Sequence, residues 1–108
     1  MKLMTKSIEK ELAKRPFGST DGKSDVKAVV KYFGGSAATW LVLEGEKEGN
    51  DWCFYGAVTL DGYYWEYGYF MLSELEGLRF PPFGLGVERD LYFNRSISDE
   101  IGRSVVYS

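Results

Sequence analysis

The dipeptide Asp61-Gly62 lies between two runs rich in aromatic and β-branched residues, Trp52 to Leu60 and Tyr63 to Leu72. A two-residue Asp-Gly loop supplies the positive φ angles that a type I′ turn demands, so this spacing predicts an antiparallel hairpin. Upstream, Val26 to Phe33 alternates, with Val26, Ala28, Val30 and Tyr32 on one side and Lys27, Val29, Lys31 and Phe33 on the other. That period of two predicts a half-buried strand. Gly34-Gly35-Ser36 breaks it, and Ala38 to Glu44 reads as the next strand. The acidic stretch Gly45-Glu46-Lys47-Glu48-Gly49-Asn50-Asp51 then reads as a loop. Four strands with short connections over residues 26–72 make an antiparallel meander.

Met4, Ile8 and Leu12 recur every four residues, which predicts a helix over Thr5 to Arg15 with one apolar face. Pro16 ends it, because proline disfavours the α conformation in the residue before it. Pro16 to Asp25 reads as a loop. Ser73-Glu74-Leu75-Glu76 matches a capping box, with Ser73 capping and Glu76 reaching back, so a short second helix runs from Glu74 to about Leu78. Leu91-Tyr92-Phe93 is a candidate fifth short strand, Ser98 to Gly102 a helical turn, and Ser104 to Ser108 an edge strand or frayed end. The expected architecture is a single α+β domain over 1–108. Its N-terminal helix (1–15) covers one face of the antiparallel sheet (26–72), the other face is partly wet, and short helices and loops fill 73–108.

Residue types narrow the chemistry. Fifteen of the eighteen aromatic residues are Tyr or Phe, which suits strands. Histidine is absent, which removes the commonest general base and metal ligand. The single cysteine, Cys53, can form no internal disulfide or thiolate cluster, and between Trp52 and Phe54 it reads as a packed small hydrophobe. No phosphate-binding loop, nucleophile elbow or S-x-x-K motif occurs. The reading is therefore of a non-catalytic protein with no metal and no cofactor. Met1 to Leu12 mixes Lys with Glu and lacks the apolar stretch of a signal peptide, and no apolar run is long enough to span a bilayer. With one cysteine, these features predict a cytoplasmic protein with no membrane partner.

Charge is unevenly spread. Residues 1–33 carry a net +4 and residues 34–108 a net −7. Within Glu44 to Asp90 there are ten acidic and three basic residues. An acidic, aromatic-bearing surface would be steered to a positive partner, with rings supplying affinity. Its candidate residues are Glu44, Glu46, Glu48, Asp51, Trp52, Glu74, Glu76, Glu88, Arg89 and Asp90, with Tyr63, Tyr64 and Trp65 after the hairpin turn. A second reading is nucleic-acid binding through Lys2, Lys6, Lys10 and Lys14, which share a helical stripe, joined by Lys27 and Lys31. A pI near 5.0 counts against it. A third reading gathers Glu66, Glu88 and Asp90, with Glu74 and Glu76, into a carboxylate site for acid–base or Mg²⁺ chemistry.

Two longer stretches carry a resemblance: Glu66-Tyr67-Gly68-Tyr69-Phe70-Met71-Leu72-Ser73-Glu74-Leu75, and Gly86-Val87-Glu88-Arg89-Asp90-Leu91-Tyr92-Phe93. With Leu3-Met4-Thr5-Lys6, Thr20-Asp21-Gly22, Val30-Lys31-Tyr32-Phe33 and Phe54-Tyr55-Gly56-Ala57-Val58, the chain resembles the family known as domain of unknown function 2958 over most of residues 3–93. The segment after the first helix is short by comparison. The resemblance transfers no catalytic residue. It implies a home on phages, plasmids and other mobile elements of bacteria. That setting makes the expected partner a host defence nuclease and the expected action counter-defence, against restriction or CRISPR systems.

Overall fold

The computed structural model describes residues 2–23, 25–91 and 93–102, and residues 105–107 as backbone. Six strands form one sheet: β1 (Val30–Gly34), β2 (Ala38–Glu48), β3 (Asp51–Thr59), β4 (Tyr64–Met71), β5 (Glu88–Arg89) and β6 (Val105–Tyr107), in the order β5-β1-β2-β3-β4-β6. The first four make the expected antiparallel meander. β5 adds antiparallel to β1, and β6 adds parallel to β4 over Tyr64–Glu66. The fifth strand is thus Glu88–Arg89 rather than 91–93. Of the latter, Tyr92 lies outside the described residues, as do Ser104 and Ser108 of the predicted tail strand.

Two local readings change. The acidic stretch after Glu44 is strand, not loop: β2 continues to Glu48, which faces Asp51 across a tight Gly49-Asn50 turn with Gly49 at φ +61°. Glu44, Glu46 and Glu48 alternate with Gly45 and Lys47, so the period of two was present but written in polar residues. The Asp61-Gly62 connection is wider than a two-residue type I′ turn, which needs positive φ at both central residues. Only Gly62 has it, at +85°. Asp61 instead accepts from the Tyr63 and Tyr64 amides (2.8 and 2.9 Å), and Thr59 Oγ1 accepts from the Gly62 amide (2.9 Å). The side chain closes the loop as an Asx turn does.

Among the described residues, three helices flank the sheet. α1 (Lys6–Leu12) starts at Thr5, whose hydroxyl accepts from the Ile8 amide at 3.1 Å, and stops before Pro16 is reached. α2 (Leu72–Gly77) begins directly at the end of β4. Its cap is shifted from the predicted box: Glu74, not Glu76, reaches back to the Met71 amide (2.8 Å). Ser73 is unavailable as a cap because its amide and hydroxyl both donate to Asp51 on β3. α3 (Ile97–Ile101) is capped by Ser96.

Strand alternation sends two sets of side chains to opposite faces. On the first face Val30, Tyr32, Trp40, Val42, Phe54 and Phe70 are buried with Leu3, Ile8, Leu12, Leu72, Leu75 and Val87. The predicted single covering helix is therefore incomplete as a cover: α1 spans only seven residues and shares the work with α2 and the chain around Val87. On the second face Leu41, Leu43, Ala57 and Trp65 pack against Ile97 and Ile101 of α3. Residues 26–29 run beside α3 rather than within β1: Lys27 bridges to Ser96, and the Ile97 amide donates to Val26. Gly56 faces Val42 where the β2–β3 register shifts. A Cβ there would lie 1.8 Å from the Leu41 carbonyl oxygen, so only glycine allows this approach.

Candidate functional site

The second face has a covered half and a bare half. In the bare half, Tyr55 on β3 stands opposite Tyr69 on β4, and Tyr67 is the next β4 residue on that side. Tyr55 and Tyr69 have ring centroids 5.0 Å apart, Tyr55 and Tyr67 stack at 6.3 Å, and Phe17 meets Tyr69 edge-on at 5.4 Å. Tyr69 is 67% exposed, whereas Tyr55 and Tyr67 are half-buried. Burial, then neighbouring Tyr69, Glu44, Asp21 and Tyr67, raises the Tyr55 pKa; burial raises that of Tyr67.

Carboxylates continue this aromatic strip toward the β2–β3 turn. Glu46 stands opposite Cys53, and Glu48 opposite Asp51, all on one side of the hairpin. Cys53 reports their crowding. Burial first, then a hydrogen bond with Glu48 and the charges of Glu48, Asp51 and Glu46, pushes its thiol up to about 11. Asp51 is held below the usual carboxylate range by the Ser73 hydroxyl and the Trp52 amide.

Glu44 is different. It is 2% exposed, so it offers no docking surface, contrary to the sequence reading. Its Oε1 accepts from the Gly18 amide (2.8 Å), and its Oε2 accepts from the Thr20 amide (2.8 Å) and the Thr20 hydroxyl. The Phe17 amide donates to Glu46 (2.9 Å). These two carboxylates pin the loop 17–20 beside the tyrosines. Burial would raise the Glu44 pKa, but the Thr20 hydroxyl, the Gly18 and Thr20 amides and the Arg15 charge outweigh it and hold it below 4.5.

The other candidate residues scatter. Trp52 packs against the first-face core, opposite in direction to Glu46 and Glu48. Glu74 is exposed but engaged in capping α2. Glu88, Arg89 and Asp90 sit at or just beyond β5, three strands from β3, roughly 14 Å at ordinary strand spacing. Burial raises the Tyr32 pKa, and the charges of Arg89 and Glu76 act on it in opposite directions. Trp65 is buried, while Tyr63 and Tyr64 are exposed at the β3–β4 turn. Glu66 on β4 is four strands from Glu88 on β5, roughly 19 Å, so the expected carboxylate cluster does not assemble. Among the described residues, no three Asp, Glu or Cys side chains are grouped to hold a metal ion.

The lysine stripe is also broken up. The helix ends at Leu12, so Lys2 and Lys14 fall outside it, and Lys14 pairs with Glu11 (3.3 Å). Lys27 donates to Asn94 (3.3 Å). Lys31 forms an ion pair with Glu100 of α3 and lies over the Phe93 ring. Lys6 and Lys10 remain exposed on α1.

The sequence reading named the acids of this face but missed Phe17, Tyr55, Tyr67, Tyr69 and Asp21. Their signal was the odd-numbered register shared by Tyr55 with Tyr67 and Tyr69 across a hairpin, visible once the pairing is known. No helix among the described residues is long and apolar enough to cross a membrane. A family model described as "Protein of unknown function (DUF2958)" matches residues 3–99. No curated protein and no solved structure matches the chain.

Proposed function

The chain belongs to that family of unknown function, and from this premise we propose that it is a non-catalytic binding protein that docks its acidic, tyrosine-bearing face on a basic protein partner. The single observation that carries the proposal is the continuity of the face. Glu46, Glu48 and Asp51 adjoin Phe17, Tyr55, Tyr67 and Tyr69 with no basic side chain from β2 or β3 on that side, since Lys47 points to the other. Large rings with few rotatable bonds are good affinity anchors, and a predominantly acidic rim speeds encounter with an oppositely charged groove. The mobile-element setting implied by the family resemblance makes a host defence nuclease the partner of choice, and inhibition by occlusion the action.

The test is co-purification of the tagged chain with a co-expressed restriction nuclease or guide-RNA nuclease complex, together with a cleavage assay. Stoichiometric inhibition is expected, lost in the Glu46→Lys/Glu48→Lys variant and weakened by high salt, which shortens the Debye length from ~8 Å at 0.15 M to ~3 Å at 1 M. Inhibition unaffected by the charge reversal, or multiple turnover of a substrate by metal-stripped protein, overturns the proposal.

A further inference from the structure

Beside the tyrosine strip lies a cleft of about 190 Å³, lined by the loop 20–23 and by Tyr55 and Tyr67. Val26, Leu43 and Ile97 give it an apolar lining, and Asp21, exposed, also borders it. We propose that this cleft receives one cationic side chain of the partner, best an arginine, with the guanidinium stacked on Tyr67 and Tyr55 and paired with Asp21. The inference rests on the docking reading above and deepens it by assigning a single anchoring residue on the other side.

Three features fit an arginine. The tyrosine lining is aromatic and half-buried, and a cation within about 6 Å of such a ring centroid is attracted by its negative face, more so when desolvated. The remaining lining is partly apolar, matching the arginine stem, whose guanidinium is also less strongly hydrated than an ammonium. Two carboxylates stand by the tyrosines: Asp21 borders the cleft, and Glu44, already engaged by the Gly18 and Thr20 amides and facing the Arg15 charge, acts with Asp21 on the Tyr55 hydroxyl. One lining group opposes the fit. Lys23 also borders the cleft, exposed on the same loop, and its ammonium lowers the affinity that the remaining groups supply.

Amide spectra of the full chain, titrated with acetyl-arginine-methylamide and separately with its neutral citrulline analogue, test this without any nuclease. Saturable shifts at Gly22, Tyr55 and Tyr67 are expected with arginine and not with citrulline. Tyr67→Ala and Asp21→Asn are each expected to weaken the arginine probe by about tenfold, a cation–π or ion-pair loss in a partly desolvated site. Tyr67→Phe, which keeps the ring, should bind as the parent does, and Lys23→Ala should bind tighter. Equal shifts with citrulline, no saturable shift, or an undiminished response in both weakening variants overturns the arginine site. If the probe binds but no nuclease does, the cleft stands and the docking partner proposed above is wrong. If nuclease inhibition survives Asp21→Asn and Tyr67→Ala but not the charge reversal at Glu46 and Glu48, docking stands and the arginine site falls.

Discussion

The two faces of the sheet are built from the same strands by the same alternation, yet one became core and half of the other remained surface. Phe54 and Phe70 lie 5.6 Å apart between the ring of Tyr32 and the apolar sides of α1 and α2. One residue along on each strand, Tyr55 and Tyr69 form a similar pair at 5.0 Å that no helix covers. Both are cross-strand aromatic pairs, a unit that stabilises sheets by a fraction of a kcal/mol to about 1 kcal/mol. What separates them is the cover. The first pair contributes by being withdrawn from water, whereas the second leaves ring surface free for a partner.

The largest expected effect tests that contrast directly. Phe54→Ala removes a fully buried ring and should lower unfolding free energy by about 3–5 kcal/mol, whereas Tyr69→Ala should cost about 1 kcal/mol or less. Chemical denaturation of both variants measures the gap, and equal losses would erase the distinction between the faces. Next in size is Glu44→Gln. An amide nitrogen cannot accept from the Gly18 or Thr20 N–H groups, so at least one part-buried donor loses its partner, a loss of about 1–2 kcal/mol. Because the folded Glu44 pKa lies below its ordinary value, its contribution is present above about pH 4.5 and disappears as pH falls through the folded pKa. The variant and parent stabilities should therefore converge in acid, and a difference that persists unchanged below that window would refute the role assigned to Glu44.

Smaller still is the stability effect of Glu46→Lys/Glu48→Lys. Both residues are exposed, and the one structural bond lost is that from the Phe17 amide to Glu46, so folding should change by about 1 kcal/mol or less while partner binding is lost. A large drop in stability would show that these acids serve the fold instead. The smallest effect is kinetic. The Cys53 thiol, pushed up to about 11 chiefly by burial, should react slowly with iodoacetamide at pH 8, and Glu48→Ala should speed alkylation by removing both the acceptor and its charge. An unchanged rate in that variant would mean the three carboxylates do not converge on the thiol.

How much of this was legible beforehand follows the range of the interactions involved. The meander was legible because apolar alternation and the glycine breaks at 34–35 and 62 are local signals. The extension of β2 through Glu48 was hidden, because its alternating residues are charged and, with Gly49 and Asn50, have the composition of a long loop rather than of a strand and a two-residue turn. The shifted α2 cap was hidden for a different reason: Asp51, twenty-two residues away, holds the Ser73 hydroxyl that a local rule assigns to capping. Composition points to Glu44, Glu46, Glu48 and Asp51 alike, and Glu44 cannot be distinguished from Glu46 by pattern, since both occupy the same parity of the same strand.

By itself, then, the order of residues determined which side chains alternate within each strand, that four strands follow one another as a meander, and that neither imidazole nor a second thiol exists for chemistry. Local sterics and strand periodicity decide those matters within a few residues. Only the tertiary structure decided which half of the second face stays bare, which glutamate is buried under loop 17–20, and that Glu66 and Glu88 stand at distant strands. Those outcomes depend on where α3 packs and on the strand order β5-β1-β2-β3-β4-β6, contacts between segments far apart in the chain that no local pattern encodes.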